Sequence, residues 1–230
     1  MILYVNGDSH GAAGEAVNNY CFAADDPKYF YKGRSPHPDN LVVSYGAILA
    51  SIVKAKFMCD AESASSNDRI IRTTREFLTR KTNDKPLVVI GWSTWEREEW
   101  LHDGVRWQIN AGGIGEDWPD TVKEQYKPWV VNLDMHAKVR EQHAKIWDFH
   151  QELTDSGVKH LFFNTFEPLS GVTELDWGNS YINPYQHKFT YYNWALAHGH
   201  KPVSKGSYHF GKETHFAWAQ QLLSYLTKIL

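Results

Sequence analysis

The chain is short of cysteine, of uninterrupted apolar sequence and of any surplus of charge, and each shortage removes a class of protein. Two cysteines in 230 residues, Cys21 and Cys59, cannot supply the framework of bridges that holds a small secreted domain together. Both adjoin apolar residues, which predicts reduced core thiols in an intracellular protein. No stretch approaches the ~20 apolar residues of a membrane span, and no basic segment followed by an apolar run marks the N-terminus for export. A soluble, cytoplasmic protein that makes no use of a membrane is therefore expected. Twenty-four Lys and Arg against 27 Asp and Glu leave a net charge of −3. The basic residues are scattered, so no electrostatic footprint for nucleic acid exists.

Further absences bound the organisation. No Ser/Gly/Pro-rich linker, low-complexity run or internal repeat divides the chain, so residues 1–230 read as one domain with a proper core. Gly112-Gly-Ile-Gly115 follows no convincing strand, which argues against a phosphate-cradling loop. His136, His143 and His150 recur every seven residues on a predicted helix, ~10 Å apart along its axis. That is too far for two of them to share an ion. His198-Gly-His200 has no carboxylate or cysteine nearby. No metal and no cofactor are expected.

What the chain has in excess is aromatic: ten tryptophans and twelve tyrosines. They supply core area, and any that line a cleft would stack on sugar rings. Around them runs an alternation of strand and helix patterns. Met1-Ile-Leu-Tyr-Val-Asn6 is a first strand, 56–61 a second, 86–90 a third and 160–164 a further one. Helical apolar spacing marks 40–53, 68–80, 134–155, 191–198 and the C-terminal run from Phe216 to Leu230. Residues 101–120 read as a long excursion. Such alternation predicts an α/β fold, with a mostly parallel sheet covered by helices on both faces. Ligands of such sheets sit at the carboxyl ends of the strands. Ser9, the 63–67 loop and the 91–95 loop all follow strands and should share that edge.

Two local blocks carry chemistry. Gly7-Asp8-Ser9-His10 closes the first strand, and small residues (Gly11 to Gly14) lead from it towards a possible helix. A strand-to-helix turn exposes a hydroxyl and aims backbone N–H groups at the same point. A serine needs a base within hydrogen-bond reach, and His209, in the loop before the last helix, offers one. His215, beside Glu213, is the weaker rival because it belongs to the helix itself. Trp92-Ser-Thr-Trp95-Glu96-Arg97 follows the third strand. A guanidinium beside two indoles would bind a carboxylate or sugar hydroxyl there, with Trp92, Trp95 and Arg97 as substrate contacts. The competing reading is a Glu96–Arg97 surface pair over buried tryptophans.

These blocks together resemble the SGNH (GDSL-type) hydrolases, whose serine lies in an N-terminal Gly-Asp-Ser block and whose histidine precedes the last helix. His209, His215 and Trp218-Ala219 fall in register with the family's C-terminal pattern. The block 91–97, with Ser66-Asn-Asp-Arg69 and Tyr208-His-Phe-Gly211, is similar to a divergent subset in tailed-phage genomes. The resemblance implies a three-layer, flavodoxin-like α/β/α sandwich with about five strands, and a serine esterase with Ser9 as nucleophile and His209 as base. It also implies an oxyanion hole from the N–H groups of Ser9 and of Ala64 or Ser65, helped by Ser93 or Asn67. Asn67 reads equally well as the cap of the following helix. The implied substrate is a small acyl ester, such as the acetyl group of a glycan.

The chain departs from the pattern in two places. Ser93 stands where the family has an asparagine after the third strand. Gly206 and Ser207 stand where the family places its acid. Three outcomes stay open: a Ser–His dyad oriented by Ser207 or a carbonyl, a substitute carboxylate, or a non-catalytic binding or virion-associated protein.

Overall fold

Strand β1 (Ile2–Asn6) shows how the sequence builds two faces at once. All five residues are buried, and successive side chains of a strand point to opposite faces. Leu3 and Val5 enter one hydrophobic cluster; Ile2 and Tyr4 enter the other. A continuous apolar run of this kind suits a parallel sheet covered on both sides. In the computed structural model, which describes residues 1–23, 35–80, 84–116 and 118–230, β1 lies between β2 (Lys56–Cys59) and β3 (Pro86–Trp92). Strand β6 (Lys159–Asn164) follows on the far side of β3, and all three pairings are parallel.

Helices cover both faces. α1 (Pro38–Leu41) leads into α2 (Tyr45–Ile52), which packs with α6 (Tyr191–Ala197) and α7 (Lys212–Leu226) against Leu3, Val5, Leu87, Val89, Leu161 and Phe163. On the other face α3 (Asn67–Leu78) and α5 (Met135–Asp155) cover Ile2, Tyr4, Val88, Ile90 and Phe162. The result is a three-layer α/β/α sandwich whose sheet is parallel throughout. Four strands pair regularly. A fifth position beside β6 is held by a parallel bridge between Phe162 and Tyr181, with Phe162 N–H donating to Ser180 C=O at 2.8 Å and Ile182 N–H to Phe162 C=O at 2.9 Å.

Two stretches differ from the sequence expectation. The helix expected over 40–53 is broken at Ser44, whose backbone is extended (φ −63°, ψ 151°) and whose hydroxyl accepts the Ala47 N–H to start α2. The excursion at 101–120 is mostly regular: β4 (Glu98–His102) and β5 (Val105–Ile109) form an antiparallel hairpin, and α4 (Asp120–Val131) follows. Asp103 and Gly104 both adopt positive φ (48° and 75°), as the two-residue turn that matches strand twist requires. Trp107, Ile109, Trp118, Val122 and Tyr126 make a third, separate cluster there. It is tied to the body where Arg72 grips Glu99 (2.7 and 2.8 Å) and Gln108 Oε1 accepts the Ser66 N–H at 3.1 Å. Among the described residues no helix is long and apolar enough to cross a membrane.

The strand order fixes where a site forms. From β1 the chain crosses to β2 on one side, then to β3 on the other, so the loops after β1 and β3 diverge and leave a crevice at their carboxyl ends.

Candidate active site

The loop after β1 begins with a close approach. A Cβ on Gly7 would stand 2.9 Å from the Gly91 carbonyl oxygen at the end of β3, so only glycine fits. One helical turn follows, with the Ala12 N–H on the Asp8 carbonyl at 3.1 Å. It stops at once. The Gly14 N–H bonds the Ser9 carbonyl (2.8 Å), the Ala13 N–H bonds the His10 carbonyl (3.2 Å), and Ala13 sits at φ 54°, the Schellman termination that usually uses glycine. The helix expected to grow from this loop is thus capped after a single turn. Glu15, itself at φ 60°, heads back across the site, with its N–H on the Tyr20 carbonyl at 2.8 Å.

That reversal brings together residues from the two ends of the chain. His209 Nε2 lies 2.7 Å from Ser9 Oγ, and His209 Nδ1 lies 2.5 Å from Glu15 Oε2. An ionised carboxylate only accepts, so Nδ1–H donates to Glu15 and Nε2 is left to accept from the serine hydroxyl. Ser207, at the position where the resemblance places an acid, donates its hydroxyl to Glu15 Oε2 (2.6 Å) and accepts the His209 N–H (2.9 Å). The carboxylate therefore comes from the serine's own loop, and the residue two before His209 holds it in place. Burial works to raise the Glu15 carboxyl, but the bonds from Ser207 and His209 outweigh it and the net shift is downwards. Burial and the charge of His10 lower the His209 imidazole, against the upward pull of Glu15 and Asp8.

Behind the serine lies a buried ionic pair. Burial alone would push the Asp8 carboxyl up, but His10 and Arg97 hold it at about 2. Asp8 Oδ1 accepts the His10 N–H (3.0 Å) and faces His10 Nδ1 (3.2 Å); Oδ2 faces Arg97 Nη1 (3.4 Å). The other ring nitrogen of His10 meets the Tyr208 carbonyl at 3.1 Å. The His10 ring thus bridges the Asp8 carboxylate and the Tyr208 carbonyl. It ties the serine loop to the histidine loop.

The remaining predicted residues divide. Ala64 adopts φ 62°, a conformation natural to glycine, and no acceptor among the described residues takes its N–H or that of Ser9. The Ser65 N–H is already bonded to the Glu62 carbonyl at 3.0 Å. Asn67 clamps Ser93, accepting its N–H at 2.8 Å and donating one amide proton to its carbonyl at 3.3 Å, which leaves the second amide proton uncommitted. The Ser93 hydroxyl is engaged by Arg97 Nη1 (2.7 Å) and faces Asp8. Both residues shape the loop; the Ser93 hydroxyl proton is directed to Asp8, which corrects the expectation that it donates to an oxyanion, whereas Asn67 keeps one amide proton for that role.

Trp92 and Trp95 are 0% and 1% exposed, packed in the cluster under α3 and α5, where Trp92 meets Phe149 and Phe162 edge-on. The expectation that they contact substrate is overturned by that burial. Arg97 stays at the crevice but is held on Asp8 and Ser93. His215 is buried in α7 and accepts from the Tyr45 N–H at 3.4 Å, away from Ser9. Nor is Cys21 a core thiol: its Sγ lies 3.8 Å from His209 Nδ1, whereas burial pushes the Cys59 thiol up to about 12. Neither cysteine is in a disulfide. The sequence reading missed an aromatic rim in which Tyr208, 64% exposed, adjoins Phe166 and Tyr192.

Comparison with solved structures returns enzymes at low similarity. A carbohydrate esterase family 2 enzyme with a carbohydrate binding domain, from Corynascus thermopiles (Myceliophthora fergusii), is 16% identical with a TM-score of 0.43, over 98% of this chain and 66% of that one. An acetyl xylan esterase from the rumen bacterium Butyrivibrio proteoclasticus is 11% identical with a TM-score of 0.43, over 99% of this chain and 63% of that one. A putative lipolytic protein of the G-D-S-L family from Desulfitobacterium hafniense DCB-2 is 13% identical with a TM-score of 0.34, over 100% and 99% of the two chains. The chain thus spans less than two thirds of the length of the two carbohydrate esterases. Among curated proteins nothing matches. A family model does match, over residues 38–174, more than half of the sequence, and the chain belongs to that family, a family of unknown function (DUF6071).

Proposed function

We propose that the protein is a serine hydrolase of ester bonds, with Ser9 as nucleophile, His209 as general base and Glu15 as the carboxylate that orients the imidazole. The observation that carries this reading is the continuous chain Ser9 Oγ–His209–Glu15, at 2.7 and 2.5 Å. Ser9 Oγ attacks the acyl carbon while His209 Nε2 takes its proton. The developing oxyanion is received by the N–H groups of Ser9 and Ala64, donors held in position before the reaction. His209 returns the proton to the departing alcohol, and a water repeats the sequence to free the acid. Glu15 fixes the tautomer and stabilises the imidazolium without itself being protonated.

The substrate we propose is a small acyl ester, most simply an acetyl group on a glycan. The rim of Tyr208, Phe166 and Tyr192 supports it, since aromatic faces stack on sugar rings. The non-catalytic alternative draws its warrant from the missing acid before His209; Glu15 answers that objection. The SGNH resemblance supports the same chemistry, and its tailed-phage subset is carried by sequence blocks alone. Active-site titration with a fluorophosphonate tests the reading: the protein labels, and Ser9→Ala does not. Absence of Ser9-dependent labelling at every pH overturns it.

A further inference from the structure

We propose that Glu15, Cys21 and His209 form a binding site for a divalent cation of zinc type, and that its occupancy shuts the hydrolase off. Binding stands on geometry alone; the shut-off rests on the catalytic roles proposed for Ser9 and His209. Sequence spacing gives no hint of this site, because its ligands come from the two ends of the chain. Cys21 Sγ and Glu15 Oε2 approach the same atom, His209 Nδ1, at 3.8 and 2.5 Å. One ligating atom from each of the three residues lies within 4.8 Å of the others, and among the described residues this is the one group of three such side chains.

The spacing suits a tetrahedral ion. Ligands at ~2.0–2.3 Å from zinc stand ~3.3–3.6 Å apart. The sulfur, at 3.8 Å from Nδ1, must close by about 0.3 Å, and the carboxylate, at 2.5 Å, must open by about 1 Å. A thiolate, an imidazole and a carboxylate form a mixed donor set that favours zinc over magnesium or calcium. Three protein ligands leave a fourth position for water.

The proton balance explains the inhibition. The ion displaces the Nδ1 proton and the thiol proton; one is taken up at Nε2 and the other is released to solvent. The imidazole stays neutral, with its one proton now on Nε2, the atom 2.7 Å from Ser9 Oγ. A nitrogen that carries a proton cannot accept the serine's. The carboxylate, spent on the ion, no longer stabilises an imidazolium.

Cobalt(II) and zinc(II), added to chelator-treated protein, test the proposal. Cobalt should give a near-ultraviolet thiolate-to-metal band and visible four-coordinate bands, both displaced by zinc. Cys21→Ser and Cys21→Ala, checked for folding by thermal melting, should lose the near-ultraviolet band and bind zinc about 10-fold or more weakly. Zinc should slow fluorophosphonate labelling about 10-fold or more in the unsubstituted protein, reversibly with chelator, and leave the labelling rate of each Cys21 variant nearly unchanged. No thiolate band, or equal zinc affinity in the Cys21 variants, overturns the site. A thiolate band in a protein that never labels upholds the site and overturns the shut-off together with the hydrolase reading.

Discussion

Glu15 follows Ser9 by six positions, and its place at the imidazole rests on two non-glycine residues, Ala13 and Glu15, at φ 54° and 60°. Left-handed backbone costs such residues about 1 kcal/mol each, and strain of this kind gathers where geometry serves chemistry. It also hid Glu15 from the sequence pattern. Ser9 and His209 announce themselves by local pattern, whereas glycine, the usual mark of a reversal, is absent at both strained positions. Replacing Glu15 with Gln keeps the shape but removes the charge, so kcat should fall about 10²–10⁴-fold while KM changes little. The pH profile, taken in the presence of chelator, adds a second readout. The His209 imidazole is lowered, mainly by burial, so kcat/KM should rise through an apparent pKa below the ordinary 6.5 and stay level towards neutrality. Glu15 pulls that imidazole up, so Glu15→Gln should move the acid limb to still lower pH. A limb that moves upwards would count against the assigned contact.

At the scale of elements, the clearest sequence signals were the long periodic ones. The strand expected over 86–90 and the helix expected over 134–155 are found as β3 and α5 with small changes of boundary. The hairpin β4–β5 was lost because its strands are short and lie among charged residues, although Asp103-Gly104 is a strong hairpin signal. The hairpin matters to the site, since Gln108 holds the Ser66 N–H next to the loop of Ala64. Asn67 binds the two loops to each other by clamping Ser93. Truncating it to alanine leaves the buried Ser93 N–H without a partner, which costs about 1–3 kcal/mol. Thermal or urea unfolding of Asn67→Ala should show that loss, with labelling of Ser9 slowed as the Ala64 loop drifts. Unchanged stability would mean the clamp is incidental. Gly7→Ala tests the other contact between loops: its new methyl meets the Gly91 carbonyl oxygen at 2.9 Å, and overpacking of this kind costs about 1–3 kcal/mol.

For the molecule as a whole, histidines set the acid limit of stability. Burial lowers His160 to about 4 and His215 to about 3, and lowers His143 and His150 as well. His160 Nδ1 faces the Val158 carbonyl (2.8 Å) and must donate, so Nε2 accepts from His150 Nδ1 (2.8 Å); a second proton has nowhere to go. The unfolded chain takes up those protons near pH 6.5 and the folded one does not, so stability is full above 6.5 and falls as pH drops towards 4. His160 alone, with its fall from 6.5 to about 4, accounts for about 3 kcal/mol of that loss. Asp8, held at about 2, weakens the fold only at lower pH still. Melting temperature followed from pH 7 to 4 should hold down to about pH 6.5 and decline below it; a flat curve would refute the histidine account.

The arrangement Ser9–His209–Glu15 has one more consequence. Ser9 and Glu15 share a single short loop, fixed by its own terminating turn, while His209 arrives alone with the segment that enters α7. Two thirds of the site is thus a socket, and one docking event completes it. Covalent labelling of Ser9 then reads out assembly as well as chemistry: during refolding, the moment the probe begins to react timestamps the arrival of the C-terminal segment on the sheet.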